Sequence, residues 1–183
     1  TEDIAAELVA AGLSDDVDDA ARGAPVLGLV AAGLDVDRLH ELEVELLALN
    51  LAQALLCESP RSDGLACGQC AGCGYVAART HPDLRILDRF DYDEDDEEWV
   101  VVNEIRVERV RRVTAMLETS AHRAGERIAV VAPAELMNAP SSNALLKTLE
   151  EPPPGATLLL VSDQPGRLLP TVTSRCLRVD APR

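Results

Sequence analysis

The chain has 183 residues, 47% of them hydrophobic, which is enough to build a core in one or two domains and too much for a wholly disordered polymer. Aromatic residues make up only 2%, so that core has to come from Leu, Val, Ile and Ala. A net charge of −15 argues against a surface that grips nucleic-acid phosphates directly, and no apolar run reaches the roughly 18 residues that a membrane span requires.

The first 15 residues do not read as a signal peptide. Five cysteines in a chain without an export signal point to a reducing compartment, with the cytoplasm as the expectation, and clustered cysteines there are metal ligands more often than disulfides. Residues 1–56 are Ala/Leu-rich and helical in pattern. "TEDIAAELVAAG" has a Thr cap, acids in its first turn and a terminal Gly12, and "SDDVDDAARG" repeats that grammar from Ser14 to Gly23. "APVLGLVAAG" is open to two readings, a helix starting at Pro25 or a strand over Val26–Val30. From Asp37 to Leu56 apolar residues recur at helical spacing without a breaker, which predicts one long helix with His40 on its polar surface.

"CESPRSDGLACGQCAGC" follows directly and places thiols at Cys57, Cys67, Cys70 and Cys73. The two-residue gaps and small neighbours Gly68, Ala71 and Gly72 let the backbone turn so that successive sulfurs converge on one ion. Four thiolates suit tetrahedral Zn2+ and leave no open position for water, so the expected role is structural; an iron–sulfur cluster, a redox pair or four unrelated buried thiols are the other readings. His81 is expected in a turn, "THPD", outside the metal shell, and Cys176 is left out of it as well.

After the cysteines the pattern alternates between strand and helix. "LRILD" (84–88) predicts a short strand, and the acidic run "DRFDYDEDDEEW" (88–99) a solvated loop. "EIRVERVRRVTAMLETS" (104–120) predicts an amphipathic helix with Ile105, Val107, Val110, Val113, Met116 and Leu117 inward. Its basic residues Arg106, Arg109, Arg111 and Arg112 read as a subunit contact or a solvated face. "RIAVVA" (127–132) and "ATLLLVS" (156–162) are the nearly all-apolar strands that a covered parallel sheet needs, and "SSNALLKTLEE" (141–151) is a capped helix stopped by Pro152–Pro154. "CLRVD" (176–180) predicts a last strand. The fold class is therefore α/β with a parallel sheet.

The cysteine module, "NALLKTLEEPP" (143–153) and "TSRC" (173–176), in that order, resemble bacterial DNA polymerase III clamp-loader subunits, the gamma/tau and delta-prime proteins of the AAA+ ATPase class. The resemblance covers about residues 51–183. It implies an AAA+-like core over 47–183 with the zinc module at 57–73, and membership of a pentameric loader that opens a ring-shaped sliding clamp and closes it on primed DNA. Residues 1–46 depart from the family order: they resemble the helical lid domain that ordinarily follows S-R-C, as in a permuted or rearranged chain, or else are a degenerate first βα unit.

An ATPase of this class needs a Gly-rich loop ending in Lys-Ser/Thr, yet the chain has one lysine, Lys147, in a leucine-rich helix. It also needs an Asp–Glu pair, and the family spacing back from Asn143 lands on Ala132 and Pro133, with Glu135 two residues further on. Both absences resemble delta-prime, the non-hydrolysing member, and no bound nucleotide is expected; a gamma/tau-like ATPase or a rearranged scaffold without loader activity are the alternatives. In this family the S-R-C arginine reaches across a subunit boundary to a neighbour's γ-phosphate, which assigns that role to Arg175, flanked by Ser174. Arg175 has no acidic residue within "TVTSRC" itself, so its partner must come from elsewhere. Ser162 stands where the family has a phosphate sensor and, without a nucleotide, reads as structural. The implied partners are the gamma/tau and delta subunits, the sliding clamp and, through the complex, primer-template DNA.

Overall fold

The breaker-free apolar stretch after Asp37 forms helix α1 (Leu39–Leu55), which runs almost into Cys57. A computed structural model of the chain describes residues 39–93, 98–123 and 125–180; the expected helices and the alternative strand between residues 1 and 38 lie outside the described residues. A short helix α2 (Ala71–Ala77) closes the cysteine segment, and β1 (Leu84–Leu87) follows the "THPD" turn. The remaining regular elements are a hairpin of β2 (Phe90–Asp93) and β3 (Glu98–Val101), helix α3 (Val107–Leu117), β4 (Arg127–Val131), helix α4 (Ala139–Glu150), β5 (Ala156–Leu160) and a final turn of helix, α5 (Pro170–Thr173). Among the described residues no helix is long and apolar enough to cross a membrane.

Strands β1, β4 and β5 form a parallel sheet in that order, with Leu84 opposite Ile128 and Ile128 opposite Thr157. Parallel neighbours need crossover connections, and α3 and α4 supply them. Every residue of β4 and β5 is buried, as their unbroken apolar runs require when both faces are covered. Alternation splits the side chains between two cores. Ile128, Val130 and Leu159 pack with Ala48, Leu51 and Leu56 of the α1 side, whereas Ala129, Val131, Leu158 and Leu160 pack with Val110, Val113 and Leu117 of α3 and Leu145 and Leu149 of α4.

Three local expectations are corrected. The acidic run is not all loop: Phe90 to Asp93 pairs antiparallel with Glu98 to Val101. Phe, Tyr, Trp and Val at these positions favour extended backbone, and that preference outweighs the acids interspersed with them. Arg109 is not on a solvated face but 7% exposed, donating to the carbonyls of Asp88 (3.2 Å) and Phe90 (2.8 Å) and lying 3.5 Å from the Asp91 carboxylate. It therefore fastens the hairpin's base to α3. Residues 176–180 form no strand, because no described strand lies beside them to complete a ladder; Val179 is nevertheless buried with the α1-side core.

Helix α4 also begins two residues earlier than the Ser pair suggests. Asn138 is its cap, accepting from the Ser141 N–H at 2.8 Å, while Ser141 Oγ turns inward to donate to the Ile105 carbonyl. That bond and a parallel bridge between Ile105 and Met137 tie the start of α3 to the start of α4.

The connection into β4 is held by Asp83, which is 1% exposed. Its carboxylate accepts from the N–H groups of His122 (2.7 Å) and Arg123 (2.9 Å) and from the His122 ring (3.0 Å). Burial alone would raise the Asp83 pKa, but these bonds together outweigh it and hold the carboxyl below its ordinary range. A depressed folded-state pKa gives stability that is present above the unfolded value near 3.9 and lost as pH falls through the folded value. Denaturant titrations across pH should show wild type losing stability below about pH 4, with a flatter profile in Asp83→Asn; parallel profiles would refute this role.

Candidate functional site

The four sequence-adjacent thiols do converge. Cys57, at the end of α1, stands 3.9 Å (Sγ to Sγ) from Cys70, and Cys67 stands 3.9 Å from Cys73. All four ligand atoms lie within 4.8 Å of one another, and all five cysteines of the chain are free thiols. Four sulfurs about 2.3 Å from a central Zn2+ at tetrahedral angles would be separated by about 3.8 Å, whereas a disulfide needs about 2.05 Å. The donor set and its spacing thus fit a closed, four-sulfur metal site. His81 and Cys176 are not part of the cluster.

Backbone N–H groups point at these sulfurs in the manner of metal-thiolate turns. Cys67 Sγ accepts from Gln69 and Cys70, Cys70 Sγ from Cys73 and Glu58, and Cys57 Sγ from Cys67, at 3.3 to 3.4 Å. The Cys73 N–H, working against burial and aided by Glu58, lowers the Cys70 thiol to about 6. The N–H groups of Gln69 and Cys70 lower Cys67. Burial, followed by the Cys70 neighbour, pushes Cys73 up to about 12, and a cation among the sulfurs is what would reverse that shift.

The frame around the cluster explains its shape. Gln53 of α1 donates to the Cys73 carbonyl at 3.0 Å, so α1 and α2 are locked together at the site. Glu58 takes a two-pronged bond from Arg123 at 2.9 and 2.6 Å, and the same guanidinium lies 5.1 Å from the Tyr75 ring centroid. Tyr75 meets buried His81 edge-on, and His81 Nδ1 accepts from the Asp83 N–H at 3.1 Å. Glu58 and Arg123 are 65 residues apart, so no local pattern could have revealed their pairing.

Two glycines are needed for geometric reasons. Gly68 has φ of +71°, and a Cβ on Gly72 would sit 2.5 Å from the Leu56 carbonyl oxygen.

The second set of expected residues lies elsewhere, at the ends of the parallel strands. Ala132 and Pro133 follow β4 directly and bring no carboxylate there, while Glu135 is carried onto the next turn with Oε2 buried and unpartnered among the described residues. Buried Ser162 accepts from the Gln164 N–H at 3.1 Å, a turn-forming bond. Ser174 and Arg175 are exposed at the end of α5. Arg175 donates to the Thr171 carbonyl (2.9 Å) and Ser174 Oγ (3.4 Å) and pairs with Glu150 at 2.7 Å. Glu150 is the acidic partner that "TVTSRC" lacks, brought from the end of α4. Burial pushes the adjacent Cys176 thiol up to about 11, which suits an inert packing residue.

Replacing Gly72 by Ala should lower stability by about 1–3 kcal/mol, because the new Cβ meets rigid backbone. Gly74→Ala, where a Cβ meets nothing within 4 Å, is the matched control and should be neutral or slightly stabilising. Equal thermal melting points for the two variants would contradict the close approach.

Comparison with known proteins agrees with this arrangement. Residues 39–183 match the family model described as DNA polymerase III, delta subunit. The chain is 43% identical over 136 residues to a DNA polymerase III subunit delta' of Pseudomonas aeruginosa, covering 74% of this chain and 38% of that protein. It is 38% identical over 126 residues to the delta' subunit of Escherichia coli, covering 69% and 35%. A solved structure of a gamma-subunit-related protein from Thermotoga maritima superposes with a TM-score of 0.60 at 21% identity, over 88% of this chain and 43% of that one. The chain thus spans under two fifths of the length of these delta' relatives. On the extent of the family match and these identities, the chain belongs to the DNA polymerase III delta-prime subunit family.

Proposed function

We propose that this chain acts as a non-hydrolysing subunit of a DNA polymerase III clamp loader, built on an AAA+-type core. Cys57, Cys67, Cys70 and Cys73 hold a structural Zn2+, and Arg175, with Ser174 beside it, serves the nucleotide site of a neighbouring subunit. Its partners in this reading are the gamma/tau and delta subunits, the sliding clamp and, through the complex, primer-template DNA, in the cytoplasm.

The observation that carries the reading is the placement of Arg175. The guanidinium is exposed at the end of a helical turn, with a surface carboxylate and two uncharged oxygens as its ligands. A surface ion pair of this kind is worth at most about 1 kcal/mol, so exchanging Glu150 for a phosphate oxygen costs little. A planar guanidinium supplied in trans would spread its donors over charge that develops on a transferring phosphoryl group. The β4 terminus supports the same reading from the other direction. With Ala132 and Pro133 in place of acidic residues and Glu135 carried onto the next turn, the described residues directly after β4 offer no carboxylate pair to hold magnesium and orient an attacking water. When bound, Zn2+ would offset half of the charge of four thiolates and cross-link the end of α1 to α2, leaving no open position for chemistry.

Arg175→Ala, assembled with gamma/tau, delta and the clamp, should lower ATP turnover at the site it serves by about 10³-fold. Its own melting curve should match wild type, because a solvent-exposed pair contributes little. Unchanged loader ATPase, or nucleotide hydrolysis by the isolated chain, would overturn the assignment. Metal analysis of the purified chain should give one zinc per molecule, lost together with thermal stability in Cys70→Ser; a purified wild-type chain without zinc, or a zinc-free Cys70→Ser that melts at the wild-type temperature, would remove zinc from the reading.

A further inference from the structure

The outer side of β1 lines a cavity of about 390 Å³. Among the described residues β1 pairs only with β4, so this side of the strand is an open sheet edge. Helix α3 contributes Arg109, Arg112 and Val113, which share one helix face, and Phe90 and Asp91 of the hairpin line the cavity too.

The ladder register shows which backbone groups face outward. The carbonyls of Asp83 and Leu87 accept from the N–H groups of Ile128 and Ala132, so the residues alternating with them turn away from β4. Of those, Leu84 is already satisfied: its N–H donates to the His81 carbonyl, and its own carbonyl accepts from Arg85 at 2.8 Å. The Asp88 carbonyl accepts from Arg109. By the same alternation the Ile86 N–H and C=O face away from β4, towards the open edge. A donor and an acceptor on one strand residue, side by side and directed into a groove, are the pair that an added strand engages.

The charges in the groove do not cancel. Arg79 is matched by Asp88 at 3.1 Å and Arg109 by Asp91 at 3.5 Å. Arg85 donates to the neutral carbonyls of Pro82 and Leu84, and exposed Arg112 meets no acidic partner among the described residues. Two uncompensated cations thus line a groove on a chain whose net charge is −15. Beside them Phe90 is 53% exposed, offering apolar surface to an incoming side chain.

We propose that this groove binds an extended acidic segment of a partner protein, which adds to β1 as a further strand. The Ile86 amide and carbonyl take the segment's backbone, Phe90 takes an apolar side chain, and Arg85 and Arg112 take carboxylates on the same side of the strand. Alternate residues of an extended chain point the same way, so a segment alternating acidic and β-branched residues meets these requirements. Nucleic acid fits less well: it has no backbone N–H for the Ile86 carbonyl, and Asp88 and Asp91 stand in the lining.

The test uses the full chain and a fluorescent, end-blocked nine-residue peptide alternating Glu with Val and Thr. Saturable binding by anisotropy is expected, with the Ile86 amide resonance shifting in step. Arg112→Glu combined with Arg85→Glu should weaken it by about 10-fold or more, and N-methylating the peptide's alternate amides should weaken it similarly. The doubly substituted chain should keep the wild-type melting point, showing that the loss is not one of folding. Absence of saturable binding, binding indifferent to the two substitutions, or tighter binding of a single-stranded oligonucleotide of equal charge would each overturn the proposal.

Discussion

The central position of β4 constrains everything else. It pairs in parallel on both sides, to β1 and to β5, and all five of its residues are buried. A strand in that situation has no polar face, so its two rows of side chains must each meet a separate layer of helices. One row is covered by α1, the other by α3 and α4. Because parallel strands all run the same way, the loops after them gather at one end. Pro133, Ser162 and the turn leading to Arg175 all follow the carboxyl ends of β4 and β5 in sequence. The positions proposed above to face nucleotide chemistry therefore owe their common placement to sheet direction before side-chain choice.

The cysteine module depends on that frame through α1. Leu51 and Leu56 bury α1 against β4 and β5, and the helix then delivers Cys57 to the other three thiols. Gln53, Glu58 and Arg123 reinforce the junction with bonds that cross between segments distant in sequence. Asp83 gathers the same loop that presents Arg123, so the start of β1, the loop before β4 and the cysteine module are mechanically one piece.

Much of this was legible in the sequence, and the reasons for the rest are specific. Breaker-free apolar periodicity identified α1, and continuous apolar runs identified β4 and β5, because burial on both faces leaves that signature. The spacing of Cys57, Cys67, Cys70 and Cys73 sufficed to bring them together. The hairpin of β2 and β3 was hidden because its charge masked the aromatic and β-branched residues within it. Arg109 was hidden because a buried arginine bonded to carbonyls looks, in sequence, like any helix-surface cation. Glu150 could not be connected to Arg175 without the packing of α4 on α5. The last strand-like segment, with Leu177 and Val179 either side of Arg178, shows the limit from the other direction: alternating composition without a neighbouring strand among the described residues gives only an irregular, partly buried segment.

The hairpin has a practical corollary for spectroscopy. The chain contains a single tryptophan, Trp99, and it belongs to β3, outside the three-stranded sheet. Any change in tryptophan emission on melting therefore originates at a residue of the antiparallel ribbon, whereas the three-stranded sheet carries no tryptophan. The core, made of aliphatic side chains, is silent in the near ultraviolet, and its melting has to be followed through the peptide backbone. A mismatch between the two signals would measure how independently the ribbon opens from the domain that carries it.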